Sequence, residues 1–128
     1  MAVAVQELTI TDVDRVVSAT LDVYARRCDL AAEVPLAELL SVPSDLGALR
    51  AVVGAADRTV EIVLDADIDA AAVAPATWAL AAKGFATVVL VGLDRLGEAH
   101  EGLRGTPCRL QGWWVSGDGV AFGAFEMA

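Results

Sequence analysis

The sequence predicts an α/β domain built on a mixed sheet of four to five strands. Residues 59–64 and 86–91 are β-rich, largely apolar runs separated by a segment of helical character, which is typical of parallel strands joined by crossover helices. Near the C-terminus, a Ser-Gly-Asp-Gly turn at residues 116–119 lies between two further strand-like segments, which predicts an antiparallel hairpin. We therefore expect a parallel βαβαβ core extended by a C-terminal hairpin.

Residues 1–56 are predicted to be mainly helical. Thr11 is a suitable N-cap for a helix over residues 12–28, because acidic residues occupy its first turn and apolar residues recur along one face. Shorter helices are predicted over residues 35–40 and 44–56, and residues 3–10 are compatible with a short strand. We expect the helices to cover one face of the sheet.

Residues 57–128 alternate between strand and helix patterns. The elements predicted here are, in order, strand 59–64, helix 70–83, strand 86–91, helix 95–103, strand 108–115 and strand 120–127. Gly84 ends the first of these helices, Asp94 can cap the second, and Pro107 precedes the third strand. Right-handed crossovers would make the first three strands parallel.

Composition limits the class of protein. The 128 residues are 56% hydrophobic, which fits one globular domain over residues 1–128 and excludes disorder. No apolar run approaches the roughly 20 residues that span a bilayer, so membrane insertion is not expected. The mean hydropathy of +0.56 is high for a soluble monomer and favours a protein partner or a homo-oligomer.

Charge and cysteine content narrow the partners and the compartment. Eighteen acidic and nine basic residues give a net charge of −9, which argues against nucleic acid and favours a basic protein partner. The first residues lack the basic and apolar regions of a signal peptide. Cys28 and Cys108 are predicted to be free, buried thiols in a cytoplasmic protein, and a single histidine argues against a zinc site.

An acidic cluster is predicted at the carboxyl edge of the parallel strands. Asp65 and Asp67 follow the first of these strands and Asp94 follows the second, so all three should reach the edge where α/β sheets bind ligands. Their oxygens could hold Mg²⁺. Alternatively, Asp65 and Asp67 form a solvated turn while Asp69 caps a helix.

The apolar strand followed by Asp65-Ala66-Asp67 resembles the first motif of the haloacid dehalogenase-like phosphatases. The resemblance implies a magnesium-dependent hydrolase or phosphotransfer domain. That family also has a Ser or Thr at the end of the next strand, where this chain has Gly92, and a later lysine, whereas Lys83 here precedes the second strand.

Aromatic residues make the C-terminal hairpin apolar on both faces. Trp113 and Trp114 lie on its first strand, and Phe122 and Phe125 on its return strand. Successive residues of a strand point to opposite faces, so each face is predicted to carry one Trp and one Phe. If the N-terminal helices do not cover one of these faces, its aromatic side chains would serve as interface anchors. The alternative is that those helices bury the face within one chain.

These patterns favour a non-catalytic protein-interaction module that self-associates or belongs to a larger assembly. The alternatives are the magnesium-dependent domain described above and a small-molecule-binding domain at the same sheet edge. No serine lies in a Gly-x-Ser-x-Gly motif and no glycine-rich phosphate loop follows a strand, so we assign no catalytic residue.

Overall fold

The computed structural model describes residues 11–128. Its helices are α1 (Asp12–Arg26), α2 (Ser44–Gly47), α3 (Ala74–Ala82) and α4 (Leu96–Gly102), and its strands are β1 (Ala31–Pro35), β2 (Arg50–Gly54), β3 (Thr59–Val63), β4 (Ala86–Gly92), β5 (Cys108–Ser116) and β6 (Gly119–Met127). Short 3₁₀ segments occupy Leu36–Glu38, Ala70–Val73 and Leu93–Arg95. None of the helices in this part of the chain is both long and apolar enough to cross a membrane.

All six strands form one sheet, in which they lie in the order of the sequence. β1, β2 and β3 pair antiparallel, β3, β4 and β5 pair parallel, and β6 pairs antiparallel with β5. The predicted α/β class with a mixed sheet is confirmed. The predicted number of four to five strands is wrong, because the described residues form six.

The additional strands come from the N-terminal part that was predicted to be helical. β1 ends at Pro35, and a 3₁₀ segment replaces the helix predicted over residues 35–40. The helix predicted over residues 44–56 is limited to α2, and β2 follows it. Ala51 and Val52 are both buried, so β2 is covered on both faces. A short run of that kind has no alternation, so its spacing alone does not distinguish strand from helix. The strand predicted at residues 3–10 lies outside the described residues.

Helices cover both faces of the sheet, rather than the N-terminal helices together covering one. The larger core lies between one face of the sheet and the layer formed by α2, α3, α4 and the first 3₁₀ segment. It includes Leu36, Leu46, Ile62, Leu80, Val89, Leu103 and Leu110. α1 packs on the opposite face, where the smaller core contains Val16, Val17, Tyr24, Val52, Val63, Val88 and Leu90. Because α1 contacts β1 and β2 as well as β6, it joins the two edges of the sheet.

Both ends of α1 are fixed by local interactions. The Thr11 side chain accepts a hydrogen bond from the Asp14 backbone, and the Asp14 carboxylate accepts one in return from the Thr11 backbone, as in a capping box. At the other end, Cys28 adopts a left-handed conformation with φ of 54°. Both cysteines are free thiols and Cys108 is buried as predicted, but the prediction of a buried Cys28 is wrong, because this residue lies exposed just after the helix. The Arg50 guanidinium on β2 pairs with Asp14 and with Glu33 on β1, which ties the helix to the sheet and lowers the pKa of both carboxyls.

The β5–β6 hairpin contains a bulge that changes which face its residues occupy. Gln111 pairs with Phe125 and Trp113 pairs with Phe122, so one residue of β5 lies opposite two residues of β6. The additional residue places Phe122 and Phe125 on the α1 side of the sheet. On the other side, Glu126 lies 2.9 Å from His100 Nε2, which links the hairpin to α4.

Candidate functional site

A cavity of about 320 Å³ opens between α1 and the sheet. It lies over the amino-terminal halves of β3, β4 and β5, which is the end of the parallel strands opposite to the predicted acidic edge. Its lining residues come from α1, the β2–β3 turn and strands β3 to β6, and they are Thr20, Val23, Tyr24, Arg27, Asp57, Thr59, Glu61, Val88, Arg109, Gln111, Phe122 and Phe125. The cavity therefore combines a mainly apolar wall with a few polar groups, as small-molecule sites do.

Glu61 is the most unusual residue of this lining. It lies in the middle of β3 between Val60 and Ile62, which face the opposite core, so its side chain points toward α1. Only 8% of its surface is exposed. Burial raises the pKa of the Glu61 carboxyl, whereas the Tyr24 hydroxyl and the charges of Arg27 and Arg109 act in the opposite direction.

Tyr24 forms the wall beside Glu61. Its hydroxyl lies 2.7 Å from Thr59 Oγ1, and burial raises its pKa to about 12, so it remains a neutral phenol at physiological pH. The ring fits closely over β2 because residue 54 is a glycine. A Cβ there would lie 2.5 Å from Tyr24 Cε1, well inside van der Waals contact.

Charged residues surround the opening of the cavity. Arg27, Asp57 and Arg109 are all exposed members of the lining, and we call this opening the mouth. The Arg109 guanidinium stacks 4.6 Å from the centre of the Phe125 ring. Gln111 Nε2 donates a 2.9 Å hydrogen bond to the Gly123 carbonyl at the bulge, which holds β6 in position beside the mouth.

The predicted interface residues separate into two environments. Trp113 and Phe122 are partly buried and pack against the core beneath α1. Trp114 and Phe125 are 40% and 46% exposed, but Trp114 lies on the face opposite α1, whereas Phe125 lines the cavity. The structure therefore does not gather the four aromatic side chains into one exposed patch, and their role as interface anchors stays a prediction.

The predicted metal ligands lie at the expected edge of the sheet. Asp65 and Asp67 follow β3, and Asp94 lies in the 3₁₀ segment after β4. Within residues 11–128, no group of three or more His, Cys, Asp or Glu side chains is arranged to hold a metal ion. The possible magnesium site at Asp65, Asp67 and Asp94 stays a prediction.

The Arg95 side chain binds the backbone of the loop that follows β3. Arg95 Nη1 donates to the Asp65 carbonyl at 2.9 Å, and Arg95 Nη2 donates to the Ile68 carbonyl at 2.6 Å. Asp69 accepts a 3.1 Å hydrogen bond from the Ala71 backbone and so caps the following 3₁₀ segment. These contacts correspond to the alternative prediction, in which Asp65 and Asp67 form a solvated turn and Asp69 caps the next helical segment.

Sequence reasoning did not single out Glu61, Tyr24, Arg27 or Arg109. One signal was available for Glu61, because it interrupts an apolar strand that was predicted to be buried on both faces. A carboxylate in such a place is either paired or functional. The other residues carried no local signal, since their proximity depends on where α1 and β6 lie.

Replacing Glu61 with glutamine is expected to stabilise the protein more at pH 7 than at pH 4. Because the pKa is raised in the folded state, the folded protein holds the Glu61 proton more tightly than the unfolded chain does. This tighter proton binding stabilises the wild-type fold fully at pH values below the usual pKa of glutamate. The stabilisation is lost as the pH rises through the pKa that Glu61 has in the folded protein. We expect E61Q to gain about 1 kcal/mol at pH 7, or roughly 3–5 °C in Tm, relative to the wild type.

The measurement is the difference in Tm between E61Q and the wild type at each pH from 4 to 7. Glu38→Gln, at an exposed position in the first 3₁₀ segment, is the matched control and should show no such trend. A difference for E61Q that does not change with pH would contradict the assignment.

Searches against known protein families, curated proteins and solved structures gave no match for this chain.

Proposed function

We propose that the protein is a small-molecule-binding domain whose site is the cavity beneath α1. The observation that carries this proposal is the Glu61 carboxyl, which lies almost fully buried on the cavity wall. Burying an ionisable group is unfavourable unless it is compensated. A ligand that bonds to the carboxyl would provide such compensation, whereas an apolar side chain at residue 61 would serve the fold better.

The rest of the lining supports the same function. Phe122, Phe125, Val23 and Val88 provide apolar surface for the body of a ligand, and the polar groups lie at defined positions around it. The binding hypothesis raised by the sequence is thereby retained, but at a different place, since the cavity lies away from the carboxyl edge of the sheet.

Protein-observed ¹H–¹⁵N NMR with a chemically diverse fragment library tests this proposal. We expect the bound fragments to shift the amide signals of Thr59, Val88 and Gln111 in the cavity. Val23→Phe should abolish these shifts because Val23 is only partly buried, so a larger ring there can occupy the cavity. Val115→Phe makes the same change on an exposed part of β5 outside the lining and should leave binding intact.

Three outcomes of this screen would contradict the proposal. They are the absence of any fragment hit, hits that cluster away from the cavity, and hits that persist unchanged in V23F.

A specific feature of β6 favours a second candidate, the self-associating interaction module. The edge strand β1 has five residues, ends at Pro35 and carries the paired Glu33. Such features protect an edge from further pairing. The opposite edge strand β6 has nine residues, no proline and a single charge at Glu126. Two copies of β6 pairing antiparallel about Gly123 would keep their Glu126 side chains apart.

Ala124→Lys is expected to abolish a dimer formed through β6. Ala124 is exposed near the centre of the strand, and a lysine on each of two paired edges would place like charges close together. Light scattering after size exclusion should give twice 13.3 kDa for the wild type and 13.3 kDa for A124K. Ala32→Lys changes an exposed residue of the other edge and should remain dimeric. A monomeric wild type would reject this second candidate.

A further inference from the structure

The charges around the cavity differ from the charge of the whole protein. Although the chain carries a net charge of −9, two guanidiniums line the cavity mouth, Arg27 from the end of α1 and Arg109 from β5. Asp57 is the acidic group at the mouth, and Glu61 is the acidic group inside. The mouth by itself therefore has one excess positive charge.

We propose that the cavity binds a small organic monocarboxylate, with the carboxylate at Arg27 and Arg109 and the apolar body against Phe122 and Phe125. This inference rests on the proposed function and specifies its ligand class. Guanidinium groups bind carboxylates through paired, charge-assisted hydrogen bonds. The two phenylalanine rings lie on the same side of the sheet because of the bulge in β6, so they provide apolar surface beside the mouth.

The charge balance favours a single negative charge on the ligand. A monocarboxylate matches the excess of one positive charge, whereas a phosphate monoester carries about −1.5 to −2 at neutral pH. A cationic ligand would pair with Glu61, but it would have to pass between Arg27 and Arg109. Repulsion from these two guanidiniums therefore disfavours an organic cation as the ligand.

The inner end of the cavity favours a hydroxyl group on the ligand. Glu61 and the Tyr24 hydroxyl offer both donor and acceptor atoms there, close to Thr59. The volume of about 320 Å³ has room for a ligand of one ring and a short side chain. A hydroxylated aryl acid has this size and this arrangement of groups.

The test compares three probes that differ in charge, by ¹H–¹⁵N NMR titration of the full chain at pH 6.5. They are 4-hydroxyphenylacetate, tyramine, which has an ammonium group on the same hydroxylated ring, and phenyl phosphate. We expect saturable shifts at Val88 and Gln111 with 4-hydroxyphenylacetate, and affinities at least about tenfold weaker for the other two probes.

Variants at the mouth and at the inner end should act in opposite directions. Arg27→Gln and Arg109→Gln should each weaken binding of 4-hydroxyphenylacetate roughly fivefold, and Arg109→Lys should restore part of the loss. Glu61→Gln should tighten binding several-fold because it removes a negative charge from the cavity. A tightening of this kind cannot result from structural damage, so it distinguishes electrostatic recognition from loss of folding.

The possible failures separate this inference from the proposed function. If tyramine or members of the fragment library bind in the cavity and 4-hydroxyphenylacetate does not, the monocarboxylate assignment is overturned while a binding cavity remains. Tighter binding of phenyl phosphate, or equal binding of all the probes, also overturns the assignment. If none of the probes shifts the cavity signals and the fragment library finds no hit there, both proposals are rejected.

Discussion

Replacing Gly54 with alanine is expected to lower the free energy of unfolding by about 2 kcal/mol, or roughly 6–10 °C in Tm. The new Cβ would lie 2.5 Å from Tyr24 Cε1 and 2.6 Å from Thr59 Oγ1. Neither group can move freely, because Tyr24 is buried and its hydroxyl is held by Thr59. The clash must therefore displace the wall of the cavity, and ligand binding should weaken together with stability.

Gly97→Ala is the matched control for this prediction. Gly97 lies in α4, where an added Cβ meets no atom within 4 Å, and alanine is a better helix former than glycine. G97A should be neutral or stabilising by up to about 1 kcal/mol. Equilibrium urea unfolding gives both values, and a G54A protein within about 0.5 kcal/mol of the wild type would show that Tyr24 is not confined as described.

Leu80→Ala is expected to cost about 3 kcal/mol of stability, within the range of about 2–5 kcal/mol for buried leucines. Leu80 is 0% exposed and packs in the core between α3 and the sheet. Its truncation removes buried apolar surface and leaves a cavity that the surrounding strands can fill only in part. Denaturant unfolding should show a lower midpoint with little change in the slope.

Trp78→Ala provides the comparison on the same helix. Trp78 is the larger side chain, but it is 57% exposed, so its loss should change stability by less than about 0.5 kcal/mol. α3 is rich in alanine and has no clear apolar stripe, so the sequence alone does not show which of the two residues is buried. Equal losses for L80A and W78A would mean that α3 is rotated relative to the sheet.

Local chemistry was sufficient to predict the second half of the fold. The β-branched runs of β3 and β4, the helix stop at Gly84 and the turn at residues 116–119 are all features of short segments. Gly84 indeed adopts a left-handed conformation, with φ of 85°, and Gly117 does so in the turn, with φ of 60°. These elements could be predicted because their signals do not depend on distant residues.

The first half could not be predicted in the same way. β2 is apolar on both faces because α1 covers one side and the larger core covers the other, so its sequence lacks the alternation of a half-exposed strand. β1 is short and lies at the edge of the sheet, where a strand can contain a proline such as Pro35 and a charged residue such as Glu33. Its sequence therefore does not resemble that of a central strand. Only the pairing of β2 with β3, and of β1 with β2, identifies these segments as strands.

The α/β class, the parallel core, the C-terminal hairpin and the acidic edge at Asp65, Asp67 and Asp94 could all be predicted, because each follows from composition or from neighbouring residues. The cavity could not be predicted, because it depends on tertiary packing. The bulge in β6 brings Phe122 and Phe125 to one face, and the position of α1 brings Arg27 and Tyr24 over Glu61. Such contacts between distant segments leave no periodicity in the chain, since their cause is the packing of a helix against a sheet.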